Sequence, residues 1–290
     1  MTEQNLRLGI LYMVATTLVF GVQDVLSRHL AESYNVLMVV MIRFWFFAAF
    51  VVALAARQAG GLKAAAATRK PGIQVLRGLL LPAEICVMVL AFTLIGLVET
   101  HAVFTTYPLL VAALSGPLLG EKVGWRRWTA IGIGFLGVLI ILQPGAGVFT
   151  PFALVPLLAS FMFAIYALLT RAVARHDRPE TSFFWSGTVG AAAMTVVGIW
   201  FWEPMSPPDW GLMAALCVTG ALGHWLLIRA YDVAEASAVQ PFAFLQLLWV
   251  AILGMAIFGE VIAPNVALGA MIVVAASLFT LWRERVRSRG

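Results

Sequence analysis

Five ionisable residues lie inside long apolar runs of the sequence, where an uncompensated charge is costly. They are Asp24, Arg43, Glu84, His101 and His224. In membrane proteins such groups usually line a water-filled path, bind a charged part of a solute, or relay a proton. Each also has a simpler explanation, as a neutral or paired group held between packed helices.

Glu84 and His224 are expected at similar depths in two different helices. Pro82 precedes Glu84 by two residues and removes a backbone hydrogen bond there. The internal repeat described below aligns His224 with Ile85, the neighbour of Glu84. We interpret Glu84 and His224 as cavity-lining groups that bind a substrate ammonium or carboxylate, or accept a coupling proton. The alternative is that both are packing residues.

A second group of ionisable residues lies near the predicted outer surface. Asp24 precedes Arg28 by four residues, so the two side chains share a helix face and are expected to form a salt bridge. Arg43 enters from the next helix and either joins this bridge or binds a substrate carboxylate. His101 begins a further helix, on a small and weakly polar face that suits a cavity wall or close helix packing.

Amide and aromatic side chains complete the candidate site. Gln23 shares a helix face with Phe20, and Gln246 shares one with Phe242, so each pair combines a ring with a hydrogen-bonding group. An amphipathic organic solute needs both kinds of contact. Aromatic residues deep in the predicted spans are added for the same reason. The candidate substrate-binding residues are Gln23, Arg43, Glu84, His101, Tyr107, Trp185, His224, Phe242 and Gln246.

The sequence carries no motif of the common enzyme classes. It has no Gly-x-Ser-x-Gly elbow, no His-Glu-x-x-His pair and no ATP-binding Gly-x-x-x-x-Gly-Lys-Ser/Thr loop. We therefore expect no enzymatic activity, no cofactor and no metal, although a metal site built from His101, His224 and Glu84 stays an open alternative. Cys86 and Cys217 lie in apolar runs and are interpreted as buried free thiols.

Transmembrane helices are the elements that must position these residues. Hydrophobic residues make up 62% of the 290 positions and charged residues 11%, whereas a soluble domain carries roughly 25% charged residues. Lipid must therefore cover most of the surface. Apolar runs of roughly 20 residues cross a bilayer as helices. They predict ten spans, at about 8–27, 35–56, 73–95, 98–118, 126–143, 150–170, 182–202, 209–229, 236–258 and 264–282.

The distribution of basic residues predicts the orientation. With both termini in the cytoplasm, 17 of the 19 Lys and Arg residues fall at cytoplasmic ends of spans, as the positive-inside rule requires. The net charge of +5 is thus a topology signal, and we expect no nucleic acid partner. The loop at 57–72 is predicted to hold a small interfacial helix. Six tryptophans at span ends are interpreted as interfacial anchors: Trp125, Trp128, Trp200, Trp202, Trp210 and Trp282.

The two halves of the chain resemble each other. Ala91–Glu121 aligns without a gap with Ala230–Glu260, and Phe20–Arg28 aligns with Phe163–Arg171. Each unit has five predicted helices, an odd number, so the second unit is inverted in the membrane relative to the first. Inverted repeats of this kind build transporters, with the substrate site at their interface.

These features also resemble a known family. The endings Leu118-Leu-Gly-Glu121 and Ile257-Phe-Gly-Glu260, the five-plus-five arrangement and the chain length resemble EamA-type members of the drug/metabolite transporter superfamily. Within it there is a likeness to the YddG-type aromatic amino acid exporters of bacteria. The resemblance implies a place in the bacterial inner membrane and passage of small metabolites, often outward, without ATP hydrolysis. We interpret Glu121 and Glu260 as structural residues that hold turns.

The combined prediction is an all-α integral membrane protein of two inverted five-helix repeats, residues 1–146 and 147–290, around a central cavity. The first, third and fourth helices of each unit are expected to line the path, which opens by alternating access. Because Arg43 is the only basic residue in the predicted core, neutral or zwitterionic amphipathic solutes such as aromatic or hydrophobic amino acids fit best. Coupling to protons and a channel-like facilitator stay open.

Overall fold

Residues 6–58, 60–119, 124–142, 151–173, 176–233 and 240–288 are described by a computed structural model of the chain. Within these ranges the chain is helical and forms no strand. The helices are α1 Leu6–Ser33, α2 Val36–Arg57, α3 Gly61–Ala66, α4 Pro71–Ile95, α5 Leu97–Phe104, α6 Tyr107–Leu119, α7 Trp125–Leu142, α8 Leu154–Val173, α9 Pro179–Gly198, α10 Pro207–Val233, α11 Leu245–Phe258 and α12 Pro264–Ser288. Short 3-10 turns lie at Pro151–Ala153, Ile199–Phe201 and Gln240–Phe244.

The described helices account for all ten predicted spans. By length and apolar composition seven helical segments can cross a membrane, and three shorter apolar ones, Trp128–Leu142, Phe242–Phe258 and Pro264–Ala276, lie where the remaining spans are predicted. Large apolar side chains are exposed along these helices, as lipid contact requires. All six predicted anchor tryptophans are exposed, from 41% to 83%. The small helix expected in the loop at 57–72 is α3. The chain is therefore a multi-pass membrane protein.

The fourth span is broken, whereas the sequence predicted one continuous helix over 98–118. Helix α5 ends at Phe104 and α6 begins at Tyr107. The hydroxyls of Thr105 and Thr106 donate to the carbonyls of the turn before them, at 2.7 and 2.8 Å. Pro108 follows at once and has no N–H to continue the ladder. Pro82, by contrast, lies inside the unbroken helix α4.

Helix packing repeats between the two halves. The first helix of each half packs on the third helix of the other, as α1 on α10 and α8 on α4. In the same way, the first helix of each half contacts the fourth helix of the other half: α1 contacts α11, and α8 contacts α6. The two second helices, α2 and α9, pack on each other, and so do the two fifth helices, α7 and α12. This is the pattern of two inverted five-helix repeats; the predicted boundary at 146/147 lies outside the described residues.

Glu260 ties three elements together at one end of the bundle. Its Oε1 accepts the backbone N–H of Leu97 at 2.6 Å and its Oε2 accepts that of Val98 at 2.8 Å. It therefore satisfies the free donors at the start of α5. Glu260 also forms an ion pair with Arg28 of α1. The predicted Asp24–Arg28 bridge is wrong, because Arg28 pairs with Glu260 and with Glu32 instead.

Helices α7 and α12 cross closely at a pair of glycines. A Cβ added to Gly137 would lie 2.8 Å from the carbonyl oxygen of Gly269. Close approach of this kind, through small residues, is a common way to pack helices in lipid. Gly132, five residues earlier on α7, has no heavy atom within 4 Å of its added Cβ.

We expect Gly137→Ala and Gly132→Ala to have opposite effects on stability. The first forces a methyl group against backbone and should lower stability by about 1–3 kcal/mol. The second relieves the low helix propensity of glycine and should raise stability by up to about 1 kcal/mol. Thermal unfolding of the purified protein in detergent measures both. Equal shifts would contradict the close crossing of α7 and α12.

We expect Glu260→Gln to destabilise the protein far more than Glu32→Gln. The first change leaves Arg28 without its partially buried partner and should lower the free energy of unfolding by about 3 kcal/mol. Glu32 forms an exposed i,i+4 pair with the same arginine, and its loss should cost less than about 1 kcal/mol. The same unfolding measurement applies. A larger loss from Glu32→Gln would show that the ion pair with Glu260 does not hold this end closed.

Candidate functional site

Two cavities lie between the repeats. The first is narrow, with free space of about 10 Å³, and is lined by α2, α4 and α10. Its walls are Arg43, Phe44, Phe47, Leu81, Ile85, Cys217, Gly220, Ala221 and His224. The second helix of the first repeat therefore lines this cavity through Arg43, Phe44 and Phe47, of which the sequence analysis named Arg43. Cys86 and Cys217 are free thiols, as expected.

Arg43 is the charged group of the first cavity. Its side chain is 8% exposed, and its Nη2 donates to Oε1 of Gln23 at 3.0 Å. In the described part of the chain no carboxylate oxygen lies within 4.0 Å of Arg43. Asp24 and Glu84 act on it only from farther away. Gly220 permits this arrangement, because a Cβ there would lie 3.3 Å from both the Arg43 Nε and the Gln23 oxygen.

Aromatic rings surround His224 at the rim of the same cavity. Its imidazole stacks on Phe47 with ring centroids 5.8 Å apart and meets the edge of Phe20 at 5.2 Å. Phe183 lies 6.4 Å away. An apolar or aromatic part of a solute fits such a wall.

The second cavity, with free space of about 40 Å³, lies where the fourth span is broken. Helices α5, α6 and α11, with the turn before α11, supply its walls: His101, Phe104, Thr105, Tyr107, Ala243, Phe244, Gln246 and Leu247. The predicted residues His101, Tyr107 and Gln246 are thus brought together. The break at Thr105 creates this space, because α5 and α6 diverge there.

Asp24 lies beside the second cavity and contacts two of its lining residues. Its Oδ2 accepts Nε2 of Gln246 at 2.9 Å. Nε2 of His101 lies 3.1 Å from the same oxygen, but its direction does not meet hydrogen-bond geometry. Gln23 and Asp24 are adjacent on α1, so one helix presents an acceptor to Arg43 and a carboxylate to Gln246 and His101. The sequence placed Asp24 in an outer salt bridge and so missed this role.

Three predicted site residues are found elsewhere. Glu84 is buried beside the first cavity and interacts electrostatically with Arg43, but it is not among the lining residues. Trp185 donates its indole N–H to the carbonyl of Ala66 at 3.1 Å and so holds α3. Phe242 packs on Met13. Neither Trp185 nor Phe242 lines a cavity.

The comparisons with known proteins agree with this geometry. The EamA-like transporter family matches residues 7–143 and again residues 151–282. The S-adenosylmethionine uptake transporter of Rickettsia prowazekii is 27% identical over 96% of this chain and 93% of its own length. The riboflavin transporter of Vibrio cholerae is 29% identical over 97% of this chain and 95% of its own length. The pseudopaline exporter CntI of Pseudomonas aeruginosa is 26% identical over 93% of this chain and 95% of its own length.

A solved crystal structure shares the fold. It superposes with a TM-score of 0.64 and covers 97% of this chain and 99% of its own, at 18% sequence identity. Two repeats that each match the family, the reciprocal packing of their helices and the cavities at their interface lead to one conclusion. The chain belongs to the EamA-like transporter family and is a membrane transporter of that family, not an enzyme.

Proposed function

We propose that this transporter carries a small zwitterionic metabolite with an aromatic or apolar ring, of the aromatic amino acid type, by alternating access. The observation that carries the proposal is the buried guanidinium of Arg43, which faces a cavity and has no carboxylate within 4.0 Å in the described part of the chain. A guanidinium has five N–H donors, and the protein uses one of them through Gln23.

Arg43 would bind the carboxylate of the solute. A buried charge without a close partner is unfavourable, so a carboxylate that enters the first cavity gains a charge-assisted and bidentate contact. A solute with several negative charges would find a single guanidinium in the first cavity, which disfavours phosphorylated sugars.

Asp24 would bind the ammonium group. In the closed arrangement its carboxylate is shared between Gln246 and His101. These are neutral or titratable partners that a solute cation can replace. The carboxylate and ammonium of an amino acid are carried by one carbon, so Arg43 and Asp24, which interact electrostatically, would bind them from a common position beside α1. The rings of Phe20, Phe47 and His224 would then cover the side chain of the solute.

The direction of transport depends on the gradients of the solute and of any coupled ion, not on the structure of the binding site. A transporter without an ATP-binding loop moves its solute down the combined gradients of the solute and any coupled ion. The relatives are of both kinds, since one is named for uptake and another for export. Outward flux in the cell and proton use by the Asp24–His101 pair are therefore proposals. A pH gradient imposed on liposomes tests the second.

Riboflavin transport is the competing function. A relative of similar identity bears that name, and the aromatic walls would suit a flavin ring. Riboflavin has no carboxylate, however, so it would leave Arg43 without a counter-charge. The two functions therefore differ in whether Arg43 is needed.

We expect Arg43→Gln to raise the half-saturating concentration of phenylalanine in counterflow about 10- to 100-fold. This follows because a hydrogen bond to a charged group contributes about 1.5–3 kcal/mol. The protein is reconstituted in liposomes, and exchange of labelled phenylalanine is competed with phenylalanine, phenethylamine, 3-phenylpropanoate, S-adenosylmethionine and riboflavin. In the wild type, phenethylamine should compete at least about tenfold less well than phenylalanine, because it lacks the carboxylate.

The matched control is Arg57→Gln, which removes the same charge from the exposed end of the same helix α2. It should leave the half-saturating concentration unchanged. Equal competition by phenylalanine and phenethylamine would refute the role of Arg43. Exchange of riboflavin alone, insensitive to Arg43→Gln, would establish the competing function.

A further inference from the structure

Arg77 is a second buried arginine, at the other end of the bundle from the Arg28–Glu260 pair. It is one of the 17 basic residues that the sequence assigned to the cytoplasmic side. In the structure it lies in the second turn of α4 and is only 2% exposed, one of the largest side chains that are fully buried. An arginine is rarely buried to this extent unless something opposes its charge.

The protein surrounds Arg77 with neutral groups. Its Nε donates to Oγ1 of Thr170 at 2.8 Å, its Nη1 to Oε1 of Gln74 at 2.6 Å, and its Nη2 reaches the hydroxyl of Tyr166 at 3.4 Å. The guanidinium carbon also lies 5.0 Å from the centroid of the Tyr166 ring. In the described part of the chain no carboxylate lies within ion-pair distance of Arg77, and at least two of its N–H donors are left over.

The nearest acid in this network is already satisfied. Nε2 of Gln74 donates to Oδ2 of Asp177 at 2.9 Å, so Asp177 is separated from Arg77 by an amide. Desolvation raises the pKa of the Asp177 carboxyl, but hydrogen bonds from Thr68, from the Arg69 backbone N–H and from Gln74 outweigh it, and the pKa lies below its usual range. Asp177 is therefore an anion that the loop itself stabilises, and it is not placed to neutralise Arg77.

The internal repeat relates the residue that contacts Arg77 to the residue that contacts Arg43. Tyr166 of α8 is the repeat equivalent of Gln23 of α1, in the alignment of Phe163–Arg171 with Phe20–Arg28. Gln23 accepts from Arg43, and Tyr166 accepts from Arg77. The same position on the first helix of each repeat thus contacts a buried arginine that has no carboxylate partner among the described residues.

A series of rings connects Arg77 to the second cavity. From Tyr166 the ring of Phe163 is 6.0 Å away, that of Tyr107 a further 4.9 Å, and Phe104 lies 5.3 Å beyond Tyr107. Tyr107 and Phe104 line the second cavity. A solute with an anionic group and a ring would therefore meet continuous favourable contacts between Arg77 and the cavity.

We propose that Arg77 is an anion-binding site at the inner end of the transport path, which takes the carboxylate or phosphate oxygen of a solute when α4 separates from α8. The ligand's identity as a transported solute rests on the proposed function, but the anion site does not. When α8 moves away, Arg77 loses Thr170 and Tyr166 together, and an anion replaces both. An anion that binds only this opened state shifts the equilibrium toward it.

Binding of benzoate in an Arg43→Gln background tests the site. Benzoate supplies a carboxylate and a ring, and the background removes the first cavity's arginine. In nanodiscs of phosphatidylcholine, benzoate should raise the melting temperature of Arg43→Gln, and neutral benzamide should not. Adding Arg77→Gln should raise the half-effective benzoate concentration at least about tenfold, the equivalent of one charged contact. The control Arg69→Gln changes an exposed arginine at the same end of the bundle. Adding it should leave the half-effective benzoate concentration unchanged.

The conservative variant Arg77→Lys keeps the charge and loses the forked geometry, so it should retain an intermediate benzoate response. No benzoate response in Arg43→Gln, or a response equal with and without Arg77, overturns the anion site and leaves the proposed function untouched. A normal Arg77-dependent response in a protein that exchanges only riboflavin overturns the proposed function and leaves the anion site intact.

Two further arms distinguish the source of the anion. Inorganic phosphate replaces benzoate in the first. In the second, phosphatidylglycerol replaces part of the phosphatidylcholine and no solute is added. Arg77-dependent stabilisation by benzoate or phosphate identifies a soluble anion. The same stabilisation by phosphatidylglycerol alone, with no solute effect, keeps the anion site but assigns it to a lipid headgroup and overturns its place in solute transport.

Discussion

Arg43 holds a positive charge inside a bundle whose outer surface is lipid, and the packing around it is organised to tolerate that charge without neutralising it. Gln23 supplies one acceptor, Gly220 makes room for the guanidinium beside α10, and Glu84 attracts it from a distance. A carboxylate in direct contact would have satisfied Arg43 permanently and closed the site. The partial compensation keeps the cavity stable when empty and leaves most of the guanidinium donors for a ligand.

The two ends of the path are closed by different chemistry. At one end a carboxylate, Glu260, joins the ion pair with Arg28 to the free N–H groups at the start of α5. At the other end Arg77 is enclosed by a hydroxyl, an amide and a phenol. Separating an ion pair exposes two charges that both need new partners, whereas opening the neutral enclosure exposes one. The second end is therefore the one that a singly charged solute can help to open.

Much of the fold was predictable because lipid imposes strong rules on sequence. Apolar runs of sufficient length must be helices, and the repeat with an odd number of spans must invert. At the break in the fourth span, two threonine hydroxyls bond back to the helix just before a proline. The sequence is a weak guide to such breaks, because Pro82 lies inside α4 and that helix is continuous.

The site was less predictable because it depends on partners from other helices. His101, Tyr107 and Gln246 were expected at a cavity, since a polar group deep in a span must face the interior, and all three line the second cavity. Asp24 was paired with Arg28 by the i,i+4 rule, yet tertiary contacts gave each a different partner. The burial of Arg77 was not predicted, because the positive-inside rule counts basic residues at span ends without asking which of them are buried.

The repeat gives the two halves one backbone plan and different side-chain chemistry. In the ungapped alignments Gln23 corresponds to Tyr166, and Gln246 corresponds to Tyr107. The amides contact Arg43 and Asp24, where both charges of a zwitterion would bind, whereas the tyrosines belong to the ring series that leads from the second cavity to Arg77. Under the proposed function, sequence divergence between equivalent positions separates recognition of the charged groups from passage of the ring. A pair of repeats with the same amides in both halves would bind the solute equally tightly on both routes.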